Sequence, residues 1–138
     1  MSTAGKANEE EDATLLKFGE DFQEAHCLLN AEVALILEHK LKDQQPGMAT
    51  KSNFQKAFEY VNRVKQFSDK ETITRVRQDL ERQIGLKEFE VAQLGNLCPE
   101  DGDEARTLIP SLAPSETRPQ VAEQLNEVLH TLSECKQL

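Results

Sequence analysis

Between Phe22 and Lys42 the apolar positions fall into two sets with no Gly or Pro among them. Phe22, Ala25, Leu29, Val33, Ile36 and Leu37 share one stripe at helical spacing, while Cys27, Leu28, Ala31, Ala34 and Leu35 fall on the opposite side. The spacing predicts a helix over 22–42. A surface helix needs a single apolar stripe, so one that is apolar on two sides must be covered twice. One cover is expected to be the chain's own domain. The other is expected to be a second protein, with complete wrapping by the same domain as the alternative.

Upstream, "TLLKFGEDF" (Thr14 to Phe22) is a short apolar stretch that reads as a strand or an extended arm. Residues 1–13 are small, polar and acidic, a composition expected to stay disordered until something binds it. Downstream, Pro46-Gly47 marks a linker over 46–52. The remainder, 53–138, reads as five helical pieces. Ser52 or Asn53 is placed to cap a helix with Phe54, Ala57, Phe58, Val61 and Val64 on one face. Ser68 with Glu71 reads as a capping box, which satisfies two free backbone N–H groups at a helix start. The third helix then presents Ile73, Val76, Leu80 and Ile84, with Gly85 as its left-handed terminator.

In the fourth helix Phe89, Ala92, Gln93 and Leu97 trace the expected inner side, and Pro99 forbids continuation. Asp101 or Asp103 caps a short fifth helix with Ala105, Leu108 and Ile109 inward, ended by Pro110. Thr117 with Gln120 reads as another capping box, with Pro119 in the first turn. The last helix carries Val121, Leu125, Val128, Leu132 and Cys135 at spacings of four, three, four and three. The predicted class is all-α. The expected core comprises Phe58, Val76, Leu80, Phe89, Leu97, Leu108, Ile109, Leu125 and Leu132.

Charge narrows the function. The chain has 138 residues, room for one compact domain, and a net charge of −9. That charge divides as −6 over residues 1–50, +2 over 51–98 and −5 over 99–138. An acidic chain is a poor autonomous ligand for phosphate backbones, and only its middle leaves room for weak contact with nucleic acid. Lys70, Arg77 and Arg82 are candidates for one outward basic face, but Glu71, Asp79 and Glu81 interleave with them, so a mixed-sign solvated face is favoured. No apolar run approaches the ~20 residues of a membrane span. The N-terminus lacks the basic start and apolar stretch of a secretory signal, so none is expected. Three widely spaced cysteines, Cys27, Cys98 and Cys135, argue for a reducing compartment, cytoplasm or nucleus.

Candidate chemistry is sparse. His26, His39 and His130 belong to no catalytic signature. His26 and Cys27 are neighbours whose side chains diverge by about 100° on a helix, so they do not form a nucleophile–base pair. No Cys-x-x-Cys or His-Glu-x-x-His motif predicts a metal, and "PEDGDE" (Pro99 to Glu104) lacks the twelve-residue spacing of a calcium loop. Catalytic, cofactor-binding and metal residues are therefore expected to be none, with no small-molecule substrate.

Three ordered stretches carry a resemblance. "FEVAQLGNLCPEDGDEARTLIPSL" (Phe89 to Leu112) resembles the signature segment of subunit four of eukaryotic RNA polymerase II. "AHCLLNAEVALILEHK" (Ala25 to Lys40) and "FSDKETITRVRQDL" (Phe67 to Leu80) resemble two further segments of that family. The family's Asn-Leu-Cys-Pro-Glu falls on Asn96 to Glu100, and its Leu-Ile-Pro-Ser-Leu on Leu108 to Leu112. Similarity extends over about residues 11–138, and the linker at Pro46-Gly47 is shorter than in the yeast-like branch.

The resemblance implies a non-catalytic nuclear subunit, with the cytoplasm as a possible second location. It implies pairing with polymerase subunit seven as a stalk beside the RNA exit path, docking of the pair near the clamp of the polymerase II core, and support of initiation and nascent-RNA handling. RNA contact would be weak or indirect. It also implies that 53–138 is similar to the helicase-and-RNase-D C-terminal type, leaving 14–45 as the partner-binding arm and helix. The expected partner interface is Leu15, Leu16, Phe18 and Phe22 of the arm with Cys27, Leu28 and Leu35 of the first helix. The alternatives are the equivalent subunit of another nuclear polymerase and an autonomous helical nucleic-acid-binding domain.

Overall fold

A computed structural model describes residues 10–43, 52–83 and 85–136, and the described residues form six α-helices. They are α1 (Asn30–Lys42), α2 (Ser52–Val64), α3 (Lys70–Glu81), α4 (Glu88–Leu97), α5 (Gly102–Leu108) and α6 (Pro119–Lys136). No strand forms among the described residues, so the all-α class holds. The linker expected at 46–52 falls, up to residue 51, outside the described residues, and so does Ile84.

The caps explain the boundaries. Asp69, not Ser68, opens α3: its carboxylate accepts the Thr72 N–H at 3.0 Å. An aspartate at this position gives the free N–H groups an ionised acceptor, which outcompetes a serine one residue upstream. Asp101 caps α5 by accepting the Glu104 N–H at 2.8 Å. Gly85 adopts φ 89° beyond the end of α3, the left-handed conformation for which the sequence nominated it. α6 opens at Pro119, while the Thr117 hydroxyl lies 2.8 Å from Ser115 Oγ.

α3 and α6 supply the centre of the core. Ile73, Val76 and Leu80 meet Val121, Leu125, Val128, Leu132 and Cys135, all buried, and Leu129 joins them. Ile109 and Leu112 close the core from the short turn after α5. Leu29 and Ala31 belong to the same core, which therefore crosses the boundary expected at 46–52. α2 packs along α1. Its Phe58 is half-buried and stacks on Phe54 with ring centroids 6.2 Å apart, outside the central cluster.

Three expectations are corrected. α1 begins at Asn30, so the helix expected from Phe22 is eight residues too long at its N-terminus. Glu32 accepts the Leu29 N–H at 2.9 Å and fixes the start there. The buried residues of α4 are Glu90, Val91, Ala92, Leu94 and Gly95, so that of the expected stripe Ala92 alone is buried and the centre of the inner face lies on the other side. Leu97 in consequence sits 46% exposed, and Phe89 only flanks the core. Leu108 is equally exposed, because Ala105 and Ile109 already define the inward side of a helix only seven residues long.

A buried ion pair accounts for the α4 reversal. Glu90 is fully buried, and Arg118 reaches it with Nη1 to Oε1 at 2.6 Å and Nη2 to Oε2 at 3.1 Å. Ser111 Oγ donates to Glu90 Oε2 at 2.7 Å, and the Lys87 N–H donates to Oε1 at 2.9 Å. Arg118 also donates to the carbonyls of Ser111 and Gly85, at 2.7 and 2.9 Å. Each charge thus has several polar partners, the condition under which a buried charge is tolerated. The network ties α4, the turn at Pro110–Leu112 and the start of α6 together.

Candidate partner-binding face

Upstream of α1 the chain is held by its backbone and leaves apolar side chains outward. Asp12 and Lys17 exchange both backbone hydrogen bonds at 2.9 Å, closing a tight loop around the 3-10 turn Ala13–Leu15. No residue of that turn is buried, and Leu16 takes a left-handed φ of 59°. The stretch Thr14–Phe22 is therefore neither strand nor extended arm here, because the Asp12 carboxylate accepts the Thr14 N–H at 2.9 Å and starts the turn. Phe18 leaves the loop and sets its ring edge-on to Phe89, with centroids 5.0 Å apart.

Residues 25–29 then run to α1 under three restraints. The Cys27 N–H donates to Glu88 Oε2 at 3.2 Å, and the Cys27 carbonyl accepts from Arg77 Nη2 at 2.8 Å. The Asn30 N–H donates to Asn96 Oδ1 at 2.8 Å. Leu29 is fully buried against Gly95, where a Cβ would lie 2.3 Å from Leu29 Cδ2. Only a residue without a side chain permits this approach.

Arg77 organises the whole stretch. Its Nε donates to Glu32 Oε2 at 3.1 Å and its Nη2 also donates to Glu32 Oε1. Nη1 lies 3.5 Å from Glu81 and 3.7 Å from Glu88. Burial works against the Arg77 charge, but the Glu32 hydrogen bond and the carboxylates of Glu32, Glu81 and Glu88 prevail and raise its pKa. Arg77 thereby leaves the outward basic face expected with Lys70 and Arg82. Arg82 and Arg75 pair with Asp79, at 3.4 and 3.6 Å.

The expected interface residues divide accordingly. Leu15 and Phe22 are 61% and 69% exposed, and Leu28 is 46% exposed. Leu16, Phe18 and Cys27 are half-buried. Leu35 packs on the chain's own core, and Cys27 and Leu28 precede α1 instead of lying on it. A groove of about 550 Å³ opens between this stretch and α3–α4, with Phe18, Phe22, Ala25, Leu86, Phe89 and Val91 among its walls and Glu24, Glu81 and Glu88 at its edge. Sequence reasoning did not find it, because its two sides are some sixty residues apart in the chain.

The remaining chemistry-bearing side chains are dispersed. Among the described residues no group of three or more His, Cys, Asp or Glu is placed to hold a metal ion. The three histidines are exposed and each stands beside a single carboxylate, at 3.8 Å for His26–Glu88, 3.1 Å for His39–Asp43 and 3.4 Å for His130–Glu134. Cys98 ends α4 in a left-handed conformation, φ 44°, with Sγ 3.4 Å from the Gly95 carbonyl. Burial pushes its thiol up to about 11, away from the low values of reactive cysteines.

Helices joined through the Glu90–Arg118 and Glu32–Arg77 ion pairs, with Leu15, Phe22 and Leu28 exposed ahead of α1, make an all-α protein. Comparison with known sequences gives the family. Residues 27–136 match the family model described as RNA polymerase Rpb4, and the chain belongs to that family. It is 40% identical to DNA-directed RNA polymerase II subunit 4 of Arabidopsis thaliana, over 91% of this chain and 93% of that one. It is 38% identical to subunit rpb4 of Dictyostelium discoideum, over 91% and 88% of the two chains. The Schizosaccharomyces pombe subunit is 36% identical, over 75% and 78%.

Proposed function

We propose that this chain is a non-catalytic subunit of nuclear RNA polymerase II, associated with the polymerase core through a stalk heterodimer with subunit seven. In that role the pair docks near the clamp and the RNA exit path and supports initiation and nascent-transcript handling. Family membership supports the coarse assignment. The observation that carries the pairing is the outward display of three apolar side chains by a hydrogen-bonded backbone: Leu15 in the Asp12–Lys17 loop, Phe22 in the turn bonded to the Gly19 carbonyl, and Leu28 between the Cys27 and Asn30 contacts to Arg77, Glu88 and Asn96. Exposed apolar side chains on a rigidly held backbone reduce the ordering cost of association. Residues 15–28 supply this face, and the helices from α1 onward supply the scaffold behind it.

The acidic balance and the pairing of Arg75, Arg77 and Arg82 with carboxylates favour this reading over autonomous nucleic-acid binding. Affinity purification of the tagged chain from nuclear extract, with mass spectrometry of what it retains, tests it. Polymerase II subunits including subunit seven are expected. Recovery of nucleic acid alone, or of no polymerase subunit, overturns the proposal.

A further inference from the structure

The groove beside the N-terminal stretch has a property that an apolar contact surface does not require. Its walls are apolar, but the charge around it is unbalanced. Glu24, Glu81 and Glu88 line it, and Glu32 stands behind, on the same guanidinium as Glu81 and Glu88. Against these carboxylates stand Arg77 and Lys87, with His26 at 3.8 Å from Glu88 as the titratable neighbour. One guanidinium thus serves three carboxylates, and Glu81 keeps half of its side-chain surface in solvent. The negative potential left over falls where Phe18, Phe22, Ala25, Leu86 and Phe89 offer apolar contact.

We infer that this groove receives a short extended segment of subunit seven, with an apolar side chain seated between Phe22 and Phe89 and an adjacent lysine or arginine placed between Glu24 and Glu81. The inference rests on the stalk reading above and adds the chemistry of what the partner inserts. Charge complementarity selects a cationic occupant, since a rim whose carboxylates outnumber its cations disfavours an acidic one. Size selects a segment of a few residues, because ~300–1,000 Å³ is the range of sites that enclose a small ligand and is too small for a docked helix. Phe18, Phe22 and Cys27, which the sequence assigned to the interface, line the same groove. The cation completes a set of carboxylates that Arg77 and Lys87 leave in excess.

The complex of the full chain with subunit seven is treated with a carbodiimide, which couples carboxylates directly to lysines in contact, and the joined peptides are identified. Affinities of wild type, Glu24→Lys and the double variant Glu24→Lys/Glu81→Lys are measured against salt concentration. The inference expects links from Glu24 or Glu81 to a lysine of subunit seven, or, where the partner's cation is an arginine, no link there but the same loss of affinity. It expects the double variant to bind about tenfold more weakly at low salt, the difference closing as salt screens the groove. Glu24 is exposed, so the single variant folds normally and is expected to show part of the effect. Equal affinities of all three proteins overturn the inference while the stalk reading stands. So do links from Glu24 or Glu81 to a second copy of this chain. If the wild-type chain does not bind subunit seven, both the stalk reading and this inference fall.

Discussion

Arg77 of α3 holds Glu32 of α1 through two hydrogen bonds across 45 residues of chain, and the same guanidinium grips the Cys27 carbonyl at 2.8 Å. One side chain therefore sets both where α1 begins and how the preceding stretch approaches it. The pair is largely but not fully buried, with 14% and 20% of the two side chains exposed, so its worth is that of a partly screened charged contact. Arg77→Met is expected to destabilise the chain by about 1.5–3 kcal/mol, read from the urea midpoint. It is also expected to weaken pairing with subunit seven, because Cys27 and Leu28 lose their support. A variant that keeps its midpoint would contradict the role given to this contact.

Glu90 and Arg118 form the more deeply buried pair. Glu90→Ala leaves the Arg118 charge buried without its partner, and a loss of about 3–5 kcal/mol is expected. Glu90→Leu combined with Arg118→Met removes both charges and is expected to cost less than either single change. Calorimetric unfolding of the three variants checks the order.

Leu29 against Gly95 is a steric contact. Gly95→Ala is expected to destabilise by about 1–3 kcal/mol through overpacking, since the added Cβ would lie 2.3 Å from Cδ2 of the fully buried Leu29. Combining it with Leu29→Ala should give less than the sum of the separate effects, because the smaller side chain clears the clash. Additive losses would place the strain elsewhere.

Leu28 and Leu35 separate display from packing. Leu28→Ala is expected to leave the chain's stability unchanged within about 0.5 kcal/mol and to weaken pairing by ~1–3 kcal/mol. Leu35→Ala is expected to lower stability, since Leu35 packs on the core. Denaturation of the free chain and titration with subunit seven distinguish the two.

Cys98 makes stability depend on alkaline pH. Burial, reinforced by Cys135 and opposed by Lys136, raises its thiol from 9.0 to about 11. As pH rises the unfolded chain loses this proton first, so the contribution is intact below pH 9 and is lost between pH 9 and about 11. The urea midpoint of wild type is expected to fall more steeply across that window than that of Cys98→Ala. Parallel slopes would contradict the assignment.

The parts of this fold that local chemistry dictates were readable in the sequence. α6 and the described part of α3 bury the apolar positions their spacing nominates, and Asp101, Pro99 and Pro119 stand at helix boundaries, while α3 ends at Glu81 with Arg82 as its cap, three residues before the left-handed Gly85. What was misread depends on partners distant in the chain. The apolar spacing of Phe22, Ala25 and Leu29 continues the pattern of α1, but Arg77 and Glu88 engage the Cys27 backbone and Asn96 that of Asn30, and the helix starts only there. α4 turned its other face inward because a glutamate reads as a surface residue until Arg118, 28 positions later, comes to it. The groove had no local signature at all. Its carboxylates come from three elements, and only the fold brings them to one apolar cavity.

Pairing with subunit seven is most directly tested by mixing the two purified chains and measuring the mass of the eluted species by light scattering at ~0.5 M salt. Screening at that ionic strength suppresses exposed charge contacts and leaves apolar ones. A single species with the summed mass of one copy of each chain is the predicted result. Two separately eluting proteins, each at its own mass, would contradict it.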